Sequence, residues 1–178
     1  MSDVIDLKTV TPVAGSVARY RRIVTDENAA GKSYIKTDEI CPNTQAIMGI
    51  AEFATTELWK TSATPVVLAS ERDDPSAGPV VLSPESTGTT FRIVEFPPDA
   101  HVAGKMPQRR PEDLMHRTPS LDYAVVLDGE IVAVMDEGET VMRAGDIMIQ
   151  RGTNHNWSNR SNRPCRILFV LIGAQLPG

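Results

Sequence analysis

Three histidines, His101, His116 and His155, are the residues of this 178-residue chain best suited to chemistry near neutral pH. An imidazole can exchange a proton in that range or hold a metal ion through its uncharged nitrogen. His101 follows Pro97-Pro98-Asp99-Ala100 and reads as a surface-loop residue. His116 opens His116-Arg117-Thr118, with Asp122 as the next acidic group and Gly129 beyond it. His155 lies within Gly152-Thr153-Asn154-His155-Asn156-Trp157-Ser158-Asn159, downstream of Gly145. Cys41 and Cys165 are 124 positions apart, without the close C-x-x-C spacing of a zinc or redox site. They read as free reduced thiols, Cys165 packed in a strand.

The elements that must position these groups are strands. Thirteen prolines and twelve glycines are spread along the chain and cut it into short pieces. Phe91 to Phe96, Asp122 to Leu127, Ile131 to Met135, Thr140 to Arg143, Asp146 to Gln150 and Arg166 to Ile172 have strand composition. Asp128-Gly129 and Asp136-Glu137-Gly138 separate consecutive runs with residues that accept the positive φ of hairpin turns. In the first half, Arg21 to Thr25 and Ser33 to Thr37 form a predicted hairpin, and Glu57 to Thr61 a further strand. Ile47, Ile50, Ala51 and Ala54 would share one face of a helix over 44–56. Residues 69–90, rich in Ser, Pro, Asp and Gly, read as a long exposed connection.

Composition narrows the function classes. Lys plus Arg is 18 against 23 Asp plus Glu, a net charge of −5 with no basic run, which argues against nucleic acid as a partner. The longest apolar stretch, Ile167 to Ala174, is far short of the roughly twenty residues that span a bilayer. Met1 to Val13 lacks the basic start and apolar block of a signal peptide, so the expected location is the cytoplasm, away from membranes.

The spacing of the second half resembles the two motifs of the cupin superfamily, and within it the small single-domain, cupin_2-like barrels of uncharacterised function. The first cupin motif opens on His-x-His, continues to a Glu and closes on a Gly. The second runs from a Gly through Pro-x-Gly to His-x-x-x-Asn. His116, Asp122 and Gly129 match the first, with Thr118 in place of the second histidine and Asp122 in place of the glutamate. Gly145, Gly152, His155 and Asn159 match the second, with Gln150 where proline is expected and the segment one residue short. The resemblance implies an all-β double-stranded β-helix, a jelly-roll barrel over residues 88–178, with residues 1–87 adding strands to it. By analogy of fold it also implies a homodimer, since open sheet edges are commonly hidden by pairing.

On strands of such a barrel, His116 and Thr118 point the same way, as do His155 and Trp157. The resemblance then implies that His116, Asp122 and His155 converge in the interior as a 2-His-1-carboxylate set for a divalent ion, with Fe, Zn, Mn and Ni not distinguished. Thr118 would orient a water or an Asp122 oxygen, Trp157 would line the substrate pocket, and Arg151 would meet an anionic substrate at its mouth. Arg117 and Tyr123 have the opposite parity to these groups and face the partner sheet, an N-terminal strand or a subunit. Lys105 to Glu112 reads as a solvated insertion, or as a lid over the pocket. With both motif histidines committed to this set, no Ser-His-Asp arrangement is expected. The function that follows is a metal-dependent enzyme acting on a small oxygen-rich organic molecule by oxygenation, decarboxylation or isomerisation. Two readings stay open beside it: a non-catalytic module that binds a small molecule, and a structural barrel in which the histidines are hydrogen-bonded core residues.

Overall fold

The computed structural model describes residues 11–68, 73–105 and 114–176. Eleven strands run in the order β1 (Arg21–Glu27), β2 (Ser33–Ile40), β3 (Thr44–Ile47), β4 (Ile50–Thr61), β5 (Thr89–Phe96), β6 (Ser120–Asp128), β7 (Glu130–Met135), β8 (Glu139–Arg143), β9 (Ile147–Arg151), β10 (His155–Ser158) and β11 (Cys165–Gly173). A single helical turn, α1 (Asp99–Val102), carries the exposed His101. No helix among the described residues is long and apolar enough to cross a membrane.

The strands form three antiparallel sheets, β1-β2, β10-β7-β8 and β3-β4-β5-β11-β6-β9. Alternation along β6 shows how the barrel closes: Ser120, Asp122, Ala124 and Val126 are buried, while Tyr123 and Leu127 are exposed. Ala124 and Val126 face the core that the six-stranded and three-stranded sheets share, together with Val94, Ile131, Ala133, Met142, Ile167, Phe169 and Leu171. That apolar core is the main stabilising element of the fold. A smaller cluster of Cys41, Leu58 and Ile93, with Tyr20 and Leu168 against it, is built on residues of alternate parity and anchors the N-terminal segment. Cys41 and Cys165 are both free and buried.

Two motif residues hold this architecture at its turns. Gly129 has φ 84°, and a Cβ there would lie 2.7 Å from the Pro164 carbonyl oxygen, so the β6-β7 turn admits only glycine. Asn159, 1% exposed, donates from Nδ2 to the carbonyls of Phe96 and Arg163, both at 2.9 Å. Its Oδ1 accepts from the amide and the hydroxyl of Ser161. Asn159→Ala removes the hydrogen bonds to the Phe96 and Arg163 carbonyls and from Ser161, and is expected to cost about 1–3 kcal/mol, read as a lower urea midpoint at unchanged m-value.

Two expectations about the first half are corrected. Residues 44–56 are not a helix but the hairpin β3-β4, with Ala46 opposite Ala54. Met48 and Gly49, at φ 57° and 71°, make the two-residue turn, whose twist matches that of the strands. The connection over 69–90 is not simply exposed: Ser76 and Val80 are buried, and β5 already begins at Thr89. The buried Arg22 of β1 holds this connection, with Nη2 2.7 Å from Asp74 Oδ2 and Nη1 donating to the Leu58 carbonyl at 3.1 Å. Residues 106–112 of the expected insertion lie outside the described residues, while Lys105 pairs with Glu52 at 3.0 Å.

Candidate active site

His116 and His155 meet because the backbone pairs them. They form an antiparallel bridge in which His116 N donates to His155 O and His155 N to His116 O, each at 2.9 Å. Residues that exchange both bonds lie directly opposite and project to the same side. Their ring centroids are accordingly 4.3 Å apart at an interplanar angle of 50°. Each Nδ1 is engaged locally, His116 with the Leu114 carbonyl at 3.0 Å and His155 with the Thr153 carbonyl at 3.0 Å. Among the described residues neither Nε2 has a hydrogen-bond partner. Nδ1 held by a carbonyl and Nε2 left open is the arrangement that orients a metal-ligating imidazole.

Asp122 shares the interior parity of this face. Ser120 Oγ donates to its Oδ1 at 2.5 Å, and Ser120 Oγ is in turn 3.0 Å from Thr118 Oγ1. One hydroxyl proton cannot serve both contacts, so the Thr118 hydroxyl donates to Ser120. Thr118 therefore acts on Asp122 through Ser120, an intermediary the sequence reading left out. Burial raises the Asp122 pKa, opposed by the Ser120 hydrogen bond and the charges of Arg92 and His116. His155, 3% exposed, is pushed down to about 4 by burial and by the neighbouring His116, so it is neutral at physiological pH.

The expected three-donor cluster is not closed. Among the described residues no three His, Cys, Asp or Glu side chains are gathered as a ligand set. The two imidazoles converge, while one oxygen of the third donor, Asp122, is taken by Ser120. Trp157 sits where its parity predicted, edge-on to His155 at 5.9 Å and to Phe169 at 5.5 Å. Arg151 is exposed, on the parity opposite to the buried Gln150, so it does not line this interior. His101 and Tyr123 are also exposed. A separate surface concavity of about 400 Å³ is lined by Gly129, Glu130, Arg143 and Arg163, among others. Both its arginines are neutralised, Arg143 by Glu130 and Arg163 by Asp128.

Comparison with known proteins bears on the family and the fold. The cupin domain family matches residues 93–171. Phomopsin biosynthesis cluster protein C' of Diaporthe leptostromiformis is 36% identical over 162 residues, covering 86% of this chain and 78% of that protein. The cupin-domain-containing oxidoreductase virC of Hypocrea virens is 30% identical over 168 residues, covering 89% and 78%. The chain is a cupin. Among solved structures, the cupin domain of Schizosaccharomyces pombe Cnp3 superposes with a TM-score of 0.50 at 13% identity, over 86% of this chain and 89% of that one, which is a likeness of fold.

Within this cupin the interior holds three groups that sequence reasoning missed. Glu57 of β4, 0% exposed, and Arg92 of β5, 5% exposed, are register neighbours and form a buried ion pair, Arg92 Nη2 to Glu57 Oε2 at 3.2 Å and Nε to Oε1 at 3.0 Å. Arg92 Nη2 also donates to the Val81 carbonyl at 2.7 Å. Through Phe169 of β11 the register carries this face on to β6, so the guanidinium charge acts on Asp122. Gln150 of β9 is the third, opposite Asp122 in register and in contact with His155. The signal available for Arg92 was its parity with Val94, which faces the core, in a strand already recognised.

Proposed function

We propose that this cupin is a metal-dependent oxidoreductase that acts on a small oxygen-bearing organic molecule, with His116, His155 and Asp122 holding a divalent ion. The observation that carries the reading is the pair of neighbouring imidazoles, each with Nδ1 committed to a backbone carbonyl and Nε2 without a protein partner. The donor types fit: two imidazole nitrogens, and a carboxylate whose Oδ2 has no hydrogen-bond partner among the described residues, suit Fe, Zn, Mn or Ni. The relatives named above support the oxidoreductase class and the small-molecule substrate.

When bound, such an ion supplies Lewis acidity toward a substrate oxygen or, if redox-active, electron exchange with it. The chain's own residues do the rest. The backbone bridge holds the two rings in register, and Ser120 fixes the orientation of the Asp122 carboxylate. Trp157, backed by Phe96 and Phe169, sets an apolar wall against His155.

Metal-depleted protein titrated with Zn²⁺, Mn²⁺, Ni²⁺ and, without oxygen, Fe²⁺ is expected to take up one ion per chain. His116→Ala and His155→Ala are expected to lose that stoichiometric binding while keeping the β-sheet circular dichroism of the wild type. Absence of saturable binding of all four ions to the wild type would remove the metal-dependent reading and leave a small-molecule-binding module.

A further inference from the structure

Around His155 three polar atoms crowd into a nearly equilateral triangle. Nδ1 lies 2.5 Å from the side-chain amide nitrogen of Gln150 and 3.0 Å from the Thr153 carbonyl oxygen. The amide nitrogen is itself 3.0 Å from that carbonyl. Gln150 is 2% exposed, and its Oε1 is buried with no partner. Two nitrogens this close attract only if one presents a lone pair, so the position of the imidazole proton is decided at this triangle.

We propose that Gln150 is a positioning residue whose amide oxygen accepts from Nδ1–H of His155, which keeps the free lone pair on Nε2. The proposal rests on the metal-site reading and specifies how this chain prepares one of its ligands. A half-turn about Cγ–Cδ exchanges the amide's oxygen and nitrogen. After it, Nδ1–H lies between two acceptors, Gln150 Oε1 and Thr153 O, as a three-centre hydrogen bond. In the other arrangement one NH₂ donates to both Nδ1 and Thr153 O. Its two hydrogens splay wider than acceptors only 3.0 Å apart, so both bonds are bent. That arrangement also leaves Oε1 buried without a donor, at a cost of about 1–3 kcal/mol. It further places the imidazole proton on Nε2, where it bars coordination. The half-turn moves the NH₂ to the place of Oε1, at the strand position opposite Asp122.

The expected signature is direct. In two-bond ¹H–¹⁵N correlation spectra of the metal-free, ¹⁵N-labelled full chain at pH 7.5, His155 Nδ1 resonates as a protonated nitrogen and Nε2 as a lone-pair nitrogen. Gln150→Leu shifts His155 toward a tautomer mixture and weakens Zn²⁺ binding at least about tenfold, the range typical for loss of a ligand-orienting group. Gln150→Glu, which keeps an acceptor oxygen, restores the wild-type pattern. A lone-pair Nδ1 in the wild type overturns the proposal, as does a Gln150→Leu spectrum identical to the wild type. The tautomer pattern with no zinc binding in any variant sinks the metal reading and leaves this role standing. Equal zinc affinity in wild type and Gln150→Leu, with unchanged tautomers, does the reverse.

Discussion

Arg92→Leu is expected to destabilise the protein by about 3–5 kcal/mol, because it leaves a carboxylate buried in the barrel without its main counter-charge. Glu57 is 0% exposed, and beyond Arg92 its partners are Lys60 Nζ at 3.1 Å and the Thr55 hydroxyl at 3.0 Å. Lys60 stands at the edge of the interior and softens the loss without replacing a guanidinium that contacts both oxygens. The carbonyls of Val81 and Leu82 also lose their donor, which loosens the connection into β5. The double variant Glu57→Leu/Arg92→Leu removes both charges and is expected to be more stable than Arg92→Leu alone, since a buried pair replaced by apolar groups is often close to neutral. Urea unfolding of the wild type, both single variants and the double variant closes the cycle. Strictly additive costs, or a loss under about 1 kcal/mol for Arg92→Leu, would show that the pair is not a coupled buried unit. Arg92 also favours the charged form of Asp122, so the same variant tests whether a structural ion pair conditions the candidate ligand.

The second half of the fold was legible because its constraints are local. Val125, Val126, Ile131, Val132 and Val134 sit in short runs, and Asp128-Gly129 marks a turn that only glycine can make, so alternation and turn chemistry agree. His116 and His155 were legible for a related reason: the motif spacing reflects a strand pairing that places one opposite the other. Gln150 was hidden because the family pattern expects proline there, which drew attention to a departure and away from a side chain that points inward. Glu57 and Arg92 were hidden because a charged residue alternating with apolar ones normally marks the solvent face of a strand. For Arg92 the parity with the core-facing Val94 carried a signal, whereas for Glu57 the register of β4 against β5 is what reveals that its face is the interior. The hairpin over 44–56 was misread because Ile47, Ile50, Ala51 and Ala54 fit a helical stripe equally well. Its turn also relies on Met48 at positive φ, a conformation that sequence does not advertise for methionine. Homology reports the family and the fold, whereas the polar interior around the candidate ligands emerges only from the cross-strand partners.

Metal-free wild-type protein is expected to lose stability as pH falls from about 6.5 toward 4, with His155 as a principal cause. In the unfolded chain this imidazole takes a proton near 6.5; in the folded chain it resists until about 4, because of burial and the neighbouring His116. Across that window the unfolded state binds a proton that the folded state refuses, so stability rises with pH there and falls on acidification. The span corresponds to about 3 kcal/mol at 1.36 kcal/mol per unit. Asp122 works against it: its folded pKa is raised, so on acidification the folded state takes up that proton first and is stabilised. Comparing each protein with itself at pH 7 and pH 4.5 isolates the histidine, since any fixed cost of a substitution cancels. His155→Gln is expected to show a drop in urea-unfolding free energy smaller than that of the wild type by about 2–3 kcal/mol. Equal drops would mean that His155 is not held neutral by its surroundings. The functional consequence lies in the same protonation balance. An imidazole that costs the fold several kcal/mol to protonate presents an open nitrogen at physiological pH without first having to lose a proton, and that is the state in which it can serve as a ligand.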